Sequence, residues 1–396
     1  MGGFPLGREG IGVDSERLAK LLASVLHEVL RHRVSVDVAF KRVCGGRCAG
    51  SLEEREFLYE TSRRFIADYV KLQCVAGGRG RPRELARLWL SGFEEPVEPH
   101  CRLSVPRWLY DRLYNLLGGE AVRLFEAMSV RVWWIRVNEF KASIESVVRE
   151  LEAEGVEVEA SKAYPYMLKV LKTPKPVRLL KPVREFKAIP HDIASAAVVE
   201  ALKPEPGDRI LDACAAPGVK TSLIAMLAGG RVRIRAVDIS GRRVTAMRKL
   251  MRKLGVPEDA VEYTVADART VKLGEQYDKA LVDAPCSNTG AIAKDPALRA
   301  TLKPGKVEYY SRLQREILAN IMRYASIVTY STCSILPEEG EEVVEWALDK
   351  AKPEKPGIAL CGEPYKTYKA SENACRLYPH IHESEGFFIA NLKVEI

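Results

Sequence analysis

The chain has 396 residues, 47% of them hydrophobic, which is enough for about two or three domains with sizeable cores and excludes a disordered polymer. No apolar run approaches the roughly 20 residues that cross a bilayer, and Met1-Gly2-Gly3-Phe4-Pro5 lacks a signal-peptide pattern, so a soluble cytoplasmic protein is expected. The 61 basic against 53 acidic residues leave a net charge of +8, an excess that suits an anionic partner such as RNA without demanding one.

The first hundred residues read as helices. Leu18, Leu21, Leu22, Val25, Leu26, Val29 and Leu30 recur at three-to-four spacing behind Asp14 and Ser15 as caps. Ser51-Leu52-Glu53-Glu54 is a capping-box pattern, and Leu58, Phe65, Ile66, Tyr69 and Val70 continue a stripe behind it. Glu94 to Pro99 reads as a linker. From Ser104 to Lys169 helix-like stretches surround one expected strand, Val132 to Val137. A proline-rich connector follows, carrying Lys169, Lys172, Lys175, Arg178, Lys181, Arg184 and Lys187. Such a run is either a solvated linker or a contact to an RNA backbone.

From His191 onward strands and helices alternate, which predicts a mostly parallel sheet covered on both faces. Expected strands end at Leu211, at Asp238, at Val265 near Asp267, at Asp283 and just before Thr332-Cys333. Domains are therefore expected at 1–98 (all-α), 99–186 (small α+β with the basic linker) and 187–396 (α/β, Rossmann-like). Nine cysteines are scattered without a CxxC pair, and only Cys44 and Cys48 are close-spaced. Most read as buried thiols acting as small hydrophobes, and no metal is expected.

Ligands of an open α/β sheet bind beyond the carboxyl ends of its strands. The first strand runs into Asp212-Ala213-Cys214-Ala215-Ala216-Pro217-Gly218-Val219-Lys220-Thr221, a glycine turn whose backbone N–H groups can approach a ligand. Asp238, 20 residues past Gly218, is placed for ribose hydroxyls and Asp267 for an adenine amino group. A helix N-cap is the equal alternative for each aspartate alone. With Asp283 the series favours a nucleoside pocket. The turn lacks the G-x-G-x-x-G fingerprint of NAD sites, so S-adenosylmethionine fits better.

Two thiols stand at strand ends, in Asp283-Ala284-Pro285-Cys286-Ser287 and Ser331-Thr332-Cys333-Ser334. They fit attack on a pyrimidine. A thiolate added to cytosine C6 makes C5 nucleophilic enough to take a methyl group; the C5 proton is then lost and the thiol expelled. An unperturbed thiol is only about 3% thiolate at pH 7. Pro337-Glu338-Glu339, an expected helix start, is one source of a lowered pKa for Cys333. Asp283 could hold a proton towards N3 if burial raises its pKa.

These motifs resemble the Sun family (RsmB-like) of RNA 5-methylcytosine methyltransferases. The matching pieces are Arg136-Val137-Asn138-Glu139-Phe140-Lys141, the Asp212-to-Thr221 turn, Asp238-Ile239-Ser240, both cysteine motifs with Pro337-Glu338-Glu339, Arg376, Pro379-His380 and Gly386-Phe387-Phe388. The first hundred residues resemble the NusB-like RNA-binding domain that some members carry. The resemblance implies Cys333 as nucleophile and Cys286 as the residue assisting release. It implies S-adenosylmethionine held by Cys214, Ala215, Ala216, Pro217, Gly218, Val219 and Lys220 with Asp238, Asp267 and Asp283. Arg243 stands where many members also contact the cofactor, although a solvent-facing arginine is an equal reading. Val219 replaces a usual second glycine and narrows the room there.

The expected activity is methyl transfer to C5 of cytosine in rRNA or tRNA by a monomer, on a single-stranded or flipped base. One alternative makes Cys286 the nucleophile. Another is an RNA-binding ribosome-assembly factor whose methyltransferase domain is a scaffold. DNA as substrate is disfavoured.

Overall fold

The computed structural model describes residues 14–45 and 48–395. The reading of Met1 to Pro5 falls outside them. The chain divides into two compact units, one of residues 1–131 with 291–304 and one of residues 132–290 with 305–396.

The first unit is helical throughout its described residues: α1 Ser15–His32, α2 Val36–Cys44, α3 Leu52–Ala67, α4 Tyr69–Val75 and α5 Pro82–Ser91 precede further helices that include Arg107–Leu117 and Glu120–Ala127. Side chains of Asp14, Ser35 and Ser51 accept the first-turn N–H groups of α1, α2 and α3, satisfying donors that a helix leaves unpaired. The stripe expected in α1 is its buried face, with Leu22, Val25, Leu26 and Val29 packed among Phe65, Ile66, Leu72 and Leu85. Arg299 is buried in this unit and donates to the carbonyls of Leu103, Ser104 and Met128. Burial pulls its pKa down to about 10, against the opposing pull of Asp68.

The expectation that most cysteines are free thiols is corrected. Cys44 pairs with Cys48, Cys74 with Cys101 and Cys361 with Cys375. Folding brings the Cα atoms of Cys74 and Cys101 to 6.0 Å across 27 residues, a proximity that spacing alone does not reveal. Among the described residues, the grouping of metal-ligating side chains is Cys74, His100 and Cys101, and the disulfide leaves it only His100.

The second unit holds two sheets. The smaller is antiparallel, in the order β2-β3-β1-β4, from β1 Trp133–Val137, β2 Glu157–Ala160, β3 Met167–Lys172 and β4 Ala188–Pro190. The basic connector is therefore not a linker. It carries the end of β3 and the short helix Lys181–Arg184 and leads into β4, and four of its five lysines are neutralised by glutamates: Lys169 by Glu383, Lys172 by Glu157, Lys175 by Glu154 and Lys187 by Glu150.

The larger sheet has eight strands: β5 Arg209–Asp212, β6 Arg233–Asp238, β7 Val261–Val265, β8 Tyr277–Asp283, β9 Ala325–Thr332, β10 Ala351–Glu354, β11 Ala374–Leu377 and β12 Phe387–Val394. The path runs β10-β12-β9-β8-β5-β6-β7, with β11 beside β12. From β7 to β9 every pairing is parallel, and β12 joins antiparallel. Helices Ile193–Leu202 and Val219–Leu227 are buried over most of their length, which explains why they lack an amphipathic stripe. This is the mostly parallel, Rossmann-like sheet that the alternation predicts.

Candidate active site

The parallel register sets the site. Asp212, Asp238 and Asp283 end β5, β6 and β8, and β9 ends at Thr332 beside Cys333, so their side chains collect along one edge of the sheet. Asp212 is buried and accepts the Thr221 hydroxyl at 2.6 Å. Burial pushes its pKa from 3.8 up to about 7. The chain then turns through a cis Ala216-Pro217 bond to Gly218, whose φ of 99° opens helix Val219–Leu227. A side chain at Gly218 would meet Met247 at 2.7 Å as well as adopt left-handed backbone, so the turn requires glycine twice over. Buried Arg136 on β1 braces the turn from behind, donating to the Val219 carbonyl at 3.2 Å and the Ser222 hydroxyl at 2.7 Å. Val219 packs on the core, and Lys220 reaches Asp283.

Asp238 is buried and accepts the N–H groups of Ala216 (3.2 Å) and Ser240 (3.0 Å). It ties the turn to the end of β6. The helix cap there is Ser240, which separates the two readings of this aspartate. Arg243 reaches back to Asp238 at 3.3 Å and to the Ala216 carbonyl, so it faces the turn and not solvent alone. Asp267 takes a bidentate grip from Arg269, which holds its carboxyl below the usual range. Cys214 lies among Asp212, Asp283 and Asp238; burial, with that negative ring, pushes its thiol pKa well up. The same ring favours a cationic group, and the turn backbone and buried strand-end carboxylate suit a nucleoside, so the residues present fit S-adenosylmethionine.

Asp283 carries an ion pair with Lys220 at 2.7 Å and accepts the Ser331 hydroxyl at 2.9 Å. Its charged neighbour is thus the Lys220 ammonium.

The two sulfurs come together. Cys286 Sγ lies 3.2 Å from Cys333 Sγ, and both thiols reach Asn288 Oδ1, at 2.9 Å from Cys333 and 3.5 Å from Cys286. Cys286 is buried and Cys333 is half-buried. The hydrogen bond to Cys333, and then burial, push the Cys286 thiol pKa up. At Pro337 a short 3-10 helix, Pro337–Glu339, starts and leads into helix Glu341–Ala347, and the side-chain contacts of the Cys333 thiol are the Asn288 amide and Cys286.

Of three supports, Asn288 lay outside the sequence reading, and Glu339 and Arg376 entered it only as matching pieces without a role. Asn288 adopts left-handed backbone (φ 60°) under the thiols. Glu339, fully buried, accepts both the N–H and the hydroxyl of Ser287 and the Gln314 amide at 3.3 Å, fastening the Cys286 loop to the segment behind Cys333. Burial raises its pKa. Arg376, buried, grips Glu341 with two nitrogens and donates to the carbonyls of Ser334 and Leu336, with Tyr365 and Phe388 against its guanidinium.

The family profile described as 16S rRNA methyltransferase RsmB/F matches residues 199–393, and the ferredoxin-like domain of RsmF/B-like methyltransferases matches residues 105–178. Ribosomal RNA small subunit methyltransferase B of Klebsiella pneumoniae is 32% identical over 317 residues, which cover 78% of this chain and 70% of that protein. The chain belongs to this family. A second relative is the 25S rRNA (cytosine-C(5))-methyltransferase nop2 of Schizosaccharomyces pombe, 30% identical over 72% of this chain and 50% of that protein. The crystal structure of PH0851 superposes with a TM-score of 0.81 at 25% identity, covering 97% of this chain and all of that one. This RsmB/F-family protein is an S-adenosylmethionine-dependent RNA methyltransferase. No helix among its described residues is long and apolar enough to cross a membrane.

Proposed function

We propose that the protein methylates C5 of a cytosine in RNA, ribosomal or transfer, through a covalent bond between Cys333 and C6. The observation that carries this reading is the pair of sulfurs 3.2 Å apart at the ends of adjacent parallel strands. The half-buried thiol is the one that a base can reach, and the buried one backs it. S-adenosylmethionine, held by residues 214–220 with Asp238, Asp267, Asp283 and Arg243, supplies the electrophilic methyl. Cys333, its thiol proton lost to solvent, would bond through sulfur to C6 as the C5=C6 electrons move to C5; C5 would take the methyl as the methyl–sulfonium bond breaks, leaving the cofactor as its neutral thioether. Any proton for N3 comes through the Lys220–Asp283 pair. Once Cys333 is bonded to carbon, the contact that most raises the Cys286 pKa is gone. Cys286 then loses its own proton more readily, and as the thiolate it takes the C5 proton; the C5–H electrons reform C5=C6 and expel Cys333 as its thiolate.

The reaction needs a single-stranded or flipped cytosine, because both ring edges must be free. Residues 1–98 serve in this reading as a NusB-like RNA-binding domain on a monomeric enzyme. Substitution at each cysteine, followed by denaturing electrophoresis with RNA and cofactor, tests the assignment. Cys286→Ala is expected to accumulate an RNA–protein adduct and Cys333→Ala to form none. The reverse pattern would make Cys286 the nucleophile. Absence of methyl incorporation into total RNA by the unaltered protein would leave only the scaffold role.

A further inference from the structure

We infer that helix Gly241–Leu254 and the adjoining Phe186 turn form a phosphate-binding surface that takes the RNA backbone; this rests on the RNA methyltransferase reading above. The helix is Gly-Arg-Arg-Val-Thr-Ala-Met-Arg-Lys-Leu-Met-Arg-Lys-Leu, without one acidic residue. Val244, Met247, Met251 and Leu254 bury one face. Arg242, Arg248, Lys249, Arg252 and Lys253 are exposed on the other. Arg243 is engaged by Asp238, whereas none of these five has an ion pair among the described residues. That is unlike the connector of residues 169–187, where four lysines each meet a glutamate. Like charges four apart on one helix repel, so the face is held in a state that a polyanion relieves.

The surface continues past the helix end. Asn138, buried, donates to the carbonyls of Leu254 and Phe186, both at 2.8 Å, and so fixes the small-sheet domain against the helix C-terminus. Phe186 takes up left-handed backbone (φ 59°), and Lys253 and Lys141 stand 5.2 and 5.8 Å from its ring. Arg248 lies 4.9 Å from the Tyr263 ring. Aromatic groups interleaved with unpaired cations suit a ribose-phosphate chain with exposed bases better than an acidic peptide, which would leave the rings unused. At its other end the helix begins three residues after Asp238, so a bound strand lies along the approach to the site.

The test is binding of a short labelled RNA to the full chain over a range of KCl concentrations. Each phosphate contact contributes about 0.7 to 0.9 to the slope of log affinity against log salt. The triple variant Arg248→Gln, Lys249→Gln, Arg252→Gln should lower that slope by about 2 to 3. Arg248→Lys with Arg252→Lys should keep it, because the charge stays. Lys172→Gln with Lys175→Gln, which removes two cations already paired, should also keep it. A triple variant with the unaltered slope overturns the inference, as does an equal loss in the paired-lysine control. If the unaltered protein shows no salt-dependent RNA binding, the RNA reading itself fails, a result distinct from either.

Discussion

Gly290 offers the sharpest test of how the two cysteine loops are held in register. Its N–H donates to the Cys333 carbonyl at 2.9 Å, and its own carbonyl accepts the Gly386 N–H at 2.9 Å. The three segments carrying Cys286, Cys333 and β12 therefore meet at one point. A methyl group added at Gly290 would stand 2.7 Å from the Gly386 carbonyl carbon and 2.8 Å from its Cα, and closer still to its oxygen. Carbon atoms rest at about 3.5 to 4.0 Å, so Gly290→Ala must push these backbones apart by roughly 0.7 Å or more. No flexible side chain can give way instead.

Overpacking of this kind costs about 1 to 3 kcal/mol. The two hydrogen bonds across the junction add about 0.5 to 1.5 kcal/mol each if they are lost. The expected loss is thus about 2 to 6 kcal/mol, read by urea unfolding. Catalysis should suffer more than stability suggests, because misplacing reacting groups by about 1 Å costs on the order of 100-fold in rate. Single-turnover methyl transfer at a temperature where the variant is folded measures that loss. Gly305→Ala is the matched control: nothing lies within 4 Å of its added carbon, and alanine in a helix is favoured over glycine by up to about 1 kcal/mol. Gly290→Ala with the stability and rate of the unaltered protein would refute the claim that this junction sets the distance between the thiols.

Asp212 should make stability fall as pH rises. Its folded pKa of about 7 lies above the ordinary 3.8, so its contribution is fully present below pH 4 and is lost as pH climbs through 7. Asp212→Asn should flatten that dependence and raise stability at pH 8 by about 4 kcal/mol, and an unchanged pH profile of the melting temperature would refute the assignment. Arg376→Lys should destabilise by about 3 to 5 kcal/mol, since it leaves Glu341 buried without its two-pronged partner. Denaturant midpoints measure this, and a shift of under about 0.5 kcal/mol, the size of an ordinary surface substitution, would mean that the pair does not anchor the Cys333 loop.

What was legible in the sequence follows one pattern. Strand-end logic placed Asp212, Asp238, Asp283, Cys286 and Cys333 together because parallel strands carry every carboxyl end to one edge, and hydrophobic alternation is read locally. The partners of these residues are not local. Glu339 meets Ser287 across 52 residues and Arg376 meets Glu341 across 35. A buried carboxylate looks the same in sequence as a solvated one until its donors are known. The basic connector misled for the same reason. Its charge run is read in one dimension, but Glu150, Glu154 and Glu157, spaced three to four apart upstream, lie across from Lys187, Lys175 and Lys172 once the small sheet forms. Helix Gly241–Leu254 entered the sequence reading only within the strand–helix alternation, although it holds more unpaired charge among the described residues than the connector. The distinction between a charge that is neutralised and one that awaits a partner belongs to tertiary structure. Weighing cations by their ion pairs, and not by their density along the chain, moves the expected RNA contact from residues 169–187 to residues 242–253.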